Sequence, residues 1–410
     1  MAVAPSPLGR PLFDLLDREF LADPYPVYRA LREHTPVWRS PLGFWVLSRH
    51  ADVSAVLKDP RFGPDFEGKL SNPRGRAGLL QEPAYRSLGL SMLARDPPDH
   101  TRLRGLVAKA FTARRVEAMR AGIEACVDRL LDRRATDRRM DLIADFARIL
   151  PVTVICDLLG IPETDRGRFL SGYRVSGRLL DPTPLSPQEL AQANANTLYN
   201  RRYFEDLFGR RSRAPGDDLI SALLGVRDEA NGRLSHDELA ANVALLFGAG
   251  HETTTHLIGN GLLALHRQPA QWALLMERPA LAAAAVEEVL RFDSSVQLTS
   301  RKAFETVTLP EGTEIARGES VLCVLGAANR DPDVYCDPDT LDITRTGPRA
   351  LSFGGGIHHC LGAQLARIEA EIAFRRLAER LPGVTLIALE DPAWLPRITL
   401  RGLARLDARW

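Results

Sequence analysis

Apolar residues recur at helical spacing through most of the chain, and the clearest case begins at Ser235. Ser235-His236-Asp237-Glu238 has the form of a capping box, in which a hydroxyl and a carboxylate three residues apart satisfy each other's backbone donors. From there a helical pattern runs to about Gln268, where Pro269 stops it. At ~1.5 Å per residue, roughly 33 residues predict a helix of ~50 Å, enough to cross a whole domain. Leu361, Ala363, Leu365, Ala366, Ile368 and Ala370 predict a second, largely apolar helix, and Ala282–Leu290 is built of strong helix formers. Leu103, Leu106, Val107 and Phe111 form one stripe of a helix that Pro97-Pro98 is expected to start. Shorter helical stretches cover Val27–Arg32 and Ala51–Leu57, and Leu150–Pro162 carries a helix with a Gly160 stop.

Residues 115–230 read as helices with breaks, and 171–195, with Pro182, Pro184 and Pro187, as a mobile junction between two of them. Phe44–Ser48 and Val296–Arg301 are β-prone, and Asp391–Pro396 predicts a hairpin tip. Residues 1–40 open as Pro-rich extended chain, and 60–95, with Gly, Pro and Asn at irregular spacing, are expected to be mostly loop. The fold class expected is mainly α with small β-sheets.

Bulk properties narrow the function. A chain of 410 residues with no linker-like stretch or composition break is expected to be one large domain, 1–410. A net charge of +1 gives no whole-protein attraction to nucleic acid or an anionic membrane. The run Arg133-Arg134-Ala135-Thr136-Asp137-Arg138-Arg139 is broken by acid and reads as a solvated helix end or loop. The cysteines, at 126, 156, 323, 336 and 360, are scattered and odd in number, which disfavours a zinc site or a disulfide framework and fits a reducing compartment. With no signal peptide or transmembrane anchor evident, the expectation is a soluble cytoplasmic protein.

Three clusters carry candidate chemistry. In Phe353-Gly354-Gly355-Gly356-Ile357-His358-His359-Cys360-Leu361-Gly362, glycines permit a sharp turn and a close approach to a flat ligand, and Gly362 leaves the next helix start open. His358 can donate a hydrogen bond, and Cys360 is a soft thiolate beside the positive end of a helix. A Gly-rich turn before a helix with one buried Cys accounts for the same residues without function. In the centre of the long helix, Gly248-Ala249-Gly250 weakens the helix, and a local opening there could admit a small molecule. His251-Glu252 suggests zinc, but the next His is 256, about 140° around the helix, so a two-His site fails. Thr253 beside Glu252 offers a hydroxyl and a carboxyl for proton transfer, or else a hydroxyl bonded to its own helix. The third cluster is Glu288 and Arg291 at i, i+3, which alone reads as an ordinary surface pair.

Taken together, the ten-residue Cys stretch, Ala249-Gly250-x-Glu252-Thr253, the E-x-x-R pair, and His100-Thr101-Arg102-Leu103-Arg104 resemble the cytochromes P450 in order and spacing over residues ~20–405. Ala327–Pro332 also matches. The resemblance implies a single haem-binding domain with a haem-thiolate loop over 353–362 and an oxygen-activation helix over 236–268. It makes Cys360 the axial ligand of haem b, as in P450s generally, and gives Phe353, Gly354, Gly356, His358, Gly362, Ala249 and Gly250 to the cofactor. His100, Arg104 and Arg301 become propionate partners, Thr253 the catalytic hydroxyl and Glu252 the proton relay. Glu288, Arg291 and Arg345 become a buried structural brace for the Cys loop. Val243, Leu246, Val296, Leu298, Trp394 and Leu395 are assigned to the substrate pocket, with 60–95 over the substrate and 171–195 as its lid.

The implied activity is hydroxylation or epoxidation of an apolar small molecule with O2, in polyketide or macrolide-type secondary metabolism. With no flavin or Rossmann module in the chain, NAD(P)H acts indirectly, through a ferredoxin and its reductase. Arg61, Arg102, Lys109, Arg114, Arg115 and Arg349 are candidate ferredoxin contacts, and a monomer is expected. A peroxygenase or a haem-based sensor would not need Glu252-Thr253.

Overall fold

Ser235 and Glu238 do exchange the reciprocal bonds that start the long helix: the Ser235 amide donates to the Glu238 carboxylate at 2.8 Å, and the Glu238 amide to Ser235 Oγ at 3.2 Å. The helix then runs unbroken over His236–Arg267, and a new one starts at Pro269. The computed structural model describes residues 14, 16–40, 43–64, 78–171, 173–226 and 232–410. The Pro-rich opening up to residue 13 and the 65–77 part of the expected loop lie outside the described residues.

The chain folds into two compact units, one made of residues 1–63, 124–147 and 253–410, the other of 64–123 and 148–252. In the first, five strands stand in the spatial order Val37–Arg39, Trp45–Leu47, Ser320–Val324, Leu298–Ala303, Phe62–Pro64. Trp45–Leu47 runs parallel to Ser320–Val324, with Val46 opposite Leu322. That central strand is buried from Val321 to Val324, as an interior strand with covered faces must be. Val53, Val56 and Leu57 of the helix His50–Lys58 share a core with Val321, Cys323 and Leu351, the last lying just ahead of the Cys stretch. The helices Ala282–Phe292 and Ala363–Arg380 complete this unit, the latter tied to Arg120–Asp132 by Arg375–Glu124 and Arg380–Asp132 pairs at 2.5 Å. A hairpin pairs Ala393–Trp394 with Leu403–Arg405, so part of the expected tip over Asp391–Pro396 is one of its arms and the connection lies at 395–402.

The second unit is helical: Asp99–Ala110, Ile149–Leu159, Pro187–Arg213 and the first half of the long helix. Phe169, Tyr203, Phe204 and Phe247 form its aromatic centre, with Phe169 and Phe247 ring centroids 4.9 Å apart. Gly160 ends its helix in the left-handed region at φ +72°, as a glycine stop should.

Two expectations fail here. Residues 83–94 are helical rather than loop, with a helix over Pro83–Leu90 and a 3-10 turn over Met92–Ala94. Residues 187–195 belong to the 27-residue helix Pro187–Arg213, started by a Ser186–Glu189 capping box with Pro187 in the first turn, where its missing N–H costs nothing. The approach to that helix is tied down by buried Arg178, which bonds Asp181 at 2.5 Å and Glu189 at 3.1 Å, where a mobile junction was expected. Pro98 occupies the cap position, so its helix begins at Asp99.

Candidate active site

The Cys stretch folds back on itself. The Cys360 amide donates to the Phe353 carbonyl at 2.9 Å and the Gly354 amide to the Leu351 carbonyl at 2.8 Å, with Gly354 at φ +71° and Gly356 at φ +61°. Those angles favour glycine at both positions. A Cβ on Gly356 would also collide with the Leu57 carbonyl, and one on Gly355 would stand 3.2 Å from Leu57 Cβ. The close approach expected for a flat ligand is therefore occupied, at 355 and 356, by the end of the helix His50–Lys58. Gly362 behaves differently: it caps the helix Ala363–Arg380, and nothing lies within 4 Å of where its side chain would be. Cys360 is exposed two residues earlier. An exposed soft sulfur, an open glycine and the amino end of an 18-residue helix fit a flat cofactor held through a thiolate. Phe353 is fixed from behind by the Arg367 guanidinium, 4.5 Å from its ring centroid.

Glu288 and Arg291 form a bidentate pair, both bonds 2.8 Å, with 4% and 2% exposure, so this is not a surface pair. Arg345 joins Glu288 at 3.1 Å, and the Asp342 amide donates to the same oxygen at 2.9 Å. The remaining guanidinium protons go to main-chain oxygens: Arg291 to Asn329, Pro338 and Thr340, and Arg345 to Cys336, Asp337 and Thr340. This is the satisfaction a buried charge pair requires. These main-chain partners lie in the stretch 329–345, which leads toward the Cys loop.

Along the long helix, Ala249, Glu252 and Thr253 share a face, being three and four residues apart. Ala249 is exposed and Glu252 and Thr253 are half-buried, whereas Phe247, Thr254 and Thr255 are buried. The helical assignment runs through this stretch without a break. The space left by Gly250 is taken by Ile155, 3.3 Å from a Cβ placed there. The His251 ring turns back to its own helix, with Nδ1 2.9 Å from the Phe247 carbonyl. No cluster of metal-ligating side chains occurs among the described residues.

His100 and Arg104 sit one turn apart on Asp99–Ala110. Burial lowers the His100 pKa and Arg104 lowers it further, both favouring the neutral ring. Arg301 is 7% exposed and donates to Thr299 Oγ1 at 3.0 Å and the Ser300 carbonyl at 2.8 Å.

A family model described as Cytochrome P450 matches residues 201–381. Vitamin D(3) 25-hydroxylase of Pseudonocardia autotrophica is 42% identical over 403 residues, covering 97% of this chain and 96% of its own length. The chain belongs to the cytochrome P450 family. Cytochrome P450 monooxygenase PikC of Streptomyces venezuelae is 41% identical over 410 residues, 98% and 94% of the two lengths. Among solved structures, P450BioI in complex with an acyl carrier protein ligated to hexadec-9Z-enoic acid superposes with a TM-score of 0.88 at 36% identity, over 96% of this chain and 100% of that one. The protein is thus a P450 monooxygenase, and the family implies haem-thiolate chemistry with O2.

Within this P450 the assigned pocket residues divide. Leu246 is half-buried, but Val243 is wholly buried within the second unit. Leu298 is 2% exposed in its strand, and Val296 packs at the edge of the first unit's core and bridges Leu400. Trp394 carries the Arg401 guanidinium 3.5 Å above its ring, and the Leu395 amide donates to Gly402. Of the candidate ferredoxin contacts, Arg61 is paired with Asp59, Arg102 with Glu238 and Arg115 with Asp217. No helix among the described residues is long and apolar enough to cross a membrane.

Proposed function

We propose that the whole chain works as one haem-binding domain that hydroxylates or epoxidises an apolar small molecule of the polyketide or macrolide type. Electrons reach it from NAD(P)H through a ferredoxin and its reductase. The observation that carries the reading is exposed Cys360 beside open Gly362 at the start of an 18-residue helix. When bound there, haem b supplies the activation of O2, a step that consumes two protons. The chain's own groups do the rest. Cys360 holds the iron as a thiolate. His100 and His358 donate to the cofactor's acidic edge, with Arg104 and Arg301 as its cations. Thr253 and Glu252 hold and pass the protons from one face of the long helix. Two named relatives support the class, a hydroxylase and a monooxygenase.

The reduced protein with carbon monoxide is expected to show the strongly red-shifted absorption band of thiolate-ligated haem, and Cys360→Ser is expected to lose it. A histidine-type band in the parent protein, or a band unchanged by the substitution, would sink the reading. Thr253→Ala separates an oxygenase from a gas sensor. It is expected to bind carbon monoxide as the parent does while product formed per electron consumed falls on the order of 10²-fold, the lower range for a lost proton-transfer group. Undiminished product formation would remove Thr253 from the mechanism.

A further inference from the structure

The helix that carries Glu288 and Arg291 meets the turn opening the Cys loop at Leu290 and Ser352, and the pair's own bonds run to the stretch beside it. Asn329, fully buried, stands at that junction. Its carbonyl accepts from Arg291 Nη1 at 3.2 Å. Its side-chain oxygen accepts from the Leu351 amide at 2.7 Å, and its Nδ2 donates to Ser352 Oγ at 2.9 Å. Ser352 Oγ in turn donates to the Leu290 carbonyl at 2.5 Å. Leu351–Phe353 is the 3-10 turn that opens the loop, and the Phe353 carbonyl receives the Cys360 amide. A single amide side chain therefore fixes the turn whose last carbonyl holds the cysteine's own backbone.

Two residues on, Asp331 does the corresponding work from the other side. It is 3% exposed, and its carboxylate accepts from the His50 amide at 2.7 Å. Arg49, at the cap position of His50–Lys58, makes no side-chain cap bond, so Asp331 caps that helix from 281 residues away in sequence. The far end of the same helix presents the Leu57 carbonyl against Gly356. Arg330 between them anchors the strip, donating to the Phe292 carbonyl at 2.9 and 2.7 Å while lying between the Tyr25 and Phe292 rings.

We propose that Asn329 and Asp331 are the positioning residues of the thiolate loop, Asn329 setting its entry at Leu351 and Asp331 its midpoint at Gly356. The buried ion pair acts on the loop through Asn329 and Ser352. The proposal rests on the haem-thiolate reading for its consequence at Cys360, and on the hydrogen bonds alone for its effect on the loop.

The test compares the holoprotein with Asn329→Ala, Asn329→Asp, Asp331→Ala and, as a core variant elsewhere in the same unit, Leu406→Ala. Asn329→Ala is expected to speed amide hydrogen exchange at Leu351 and Cys360 about tenfold beyond the change in the rest of the unit, as loss of a buried acceptor should. It is also expected to move part of the carbon monoxide complex out of the thiolate band. Asn329→Asp keeps the acceptor and is expected to restore protection at Leu351. Asp331→Ala is expected to speed exchange at His50 and to shift the same band with Leu351 still protected. Leu406→Ala, compared at equal fractional stability, is expected to do neither. Parent-like protection at Leu351 in Asn329→Ala, or equal changes in Leu406→Ala, would overturn the proposal. A parent protein without the thiolate band would overturn the haem reading instead, and the exchange rates would still decide whether Asn329 fixes the loop.

Discussion

Glu288→Ala is expected to remove about 3–5 kcal/mol of stability, the range seen when one partner of a buried ion pair is deleted. Four N–H donors lose their acceptor at once: Nε and Nη2 of Arg291, Nε of Arg345 and the Asp342 amide. Arg291, 2% exposed, would keep only neutral carbonyls around its charge. Against a typical total of about 5–15 kcal/mol, that loss places the variant near the threshold of folding. Denaturant titration should show a lower midpoint with an unchanged slope, and the loss should be less than additive with Arg291→Ala, since the double variant no longer buries the Arg291 charge without its carboxylate, while Arg345 and the Asp342 amide still lose their acceptor. A loss below about 1 kcal/mol would class the pair with solvent-screened surface bridges.

The features legible in the sequence are those whose cause is local. The Ser235–Glu238 box, the Gly160 stop and the positive φ at Gly354 and Gly356 each follow from a few adjacent residues. The Cys stretch and the E-x-x-R pair were legible in the same way, as short spacings tied to a known chemistry. What escaped depends on partners far along the chain. The helix at Pro83 is fixed by Asn194, which accepts from the Ala84 amide at 3.0 Å and donates to Glu82 at 2.6 Å. Nothing near residue 83 announces a cap 110 positions away. Pro187 read as a breaker because proline ends helices, yet at the first turn it starts one. The role of Asn329 escaped for a related reason: Ala327–Pro332 matched a pattern, but a pattern does not say that its asparagine reaches Leu351 and Ser352.

Glu369→Gln is expected to gain stability relative to the parent protein as pH rises. Glu369 lies inside the helix Ala363–Arg380 at 2% exposure, and its Oε2 has no hydrogen-bond partner among the described residues. Burial alone raises its pKa well above the usual 4.5, with no charged neighbour contributing. Because the folded-state value is raised, the folded protein holds this proton where the unfolded chain has released it. The stability linked to the protonated acid is therefore complete below about pH 4.5 and is lost as pH rises toward the folded value, at about 1.4 kcal/mol per pH unit. Glutamine has a similar shape and no proton to lose, so the variant escapes that slope. Its amide adds a constant offset from the hydrogen bonds it makes or lacks, which shifts the difference but not its pH dependence. Denaturation of both proteins at pH 5, 6 and 7 should give a stability difference that moves steadily toward the variant, by at most about 1.4 kcal/mol per pH unit while the folded protein still holds the proton. Parallel profiles would mean that Glu369 ionises freely in the folded state, which a carboxyl so deeply buried and with no charged neighbour contributing should not do.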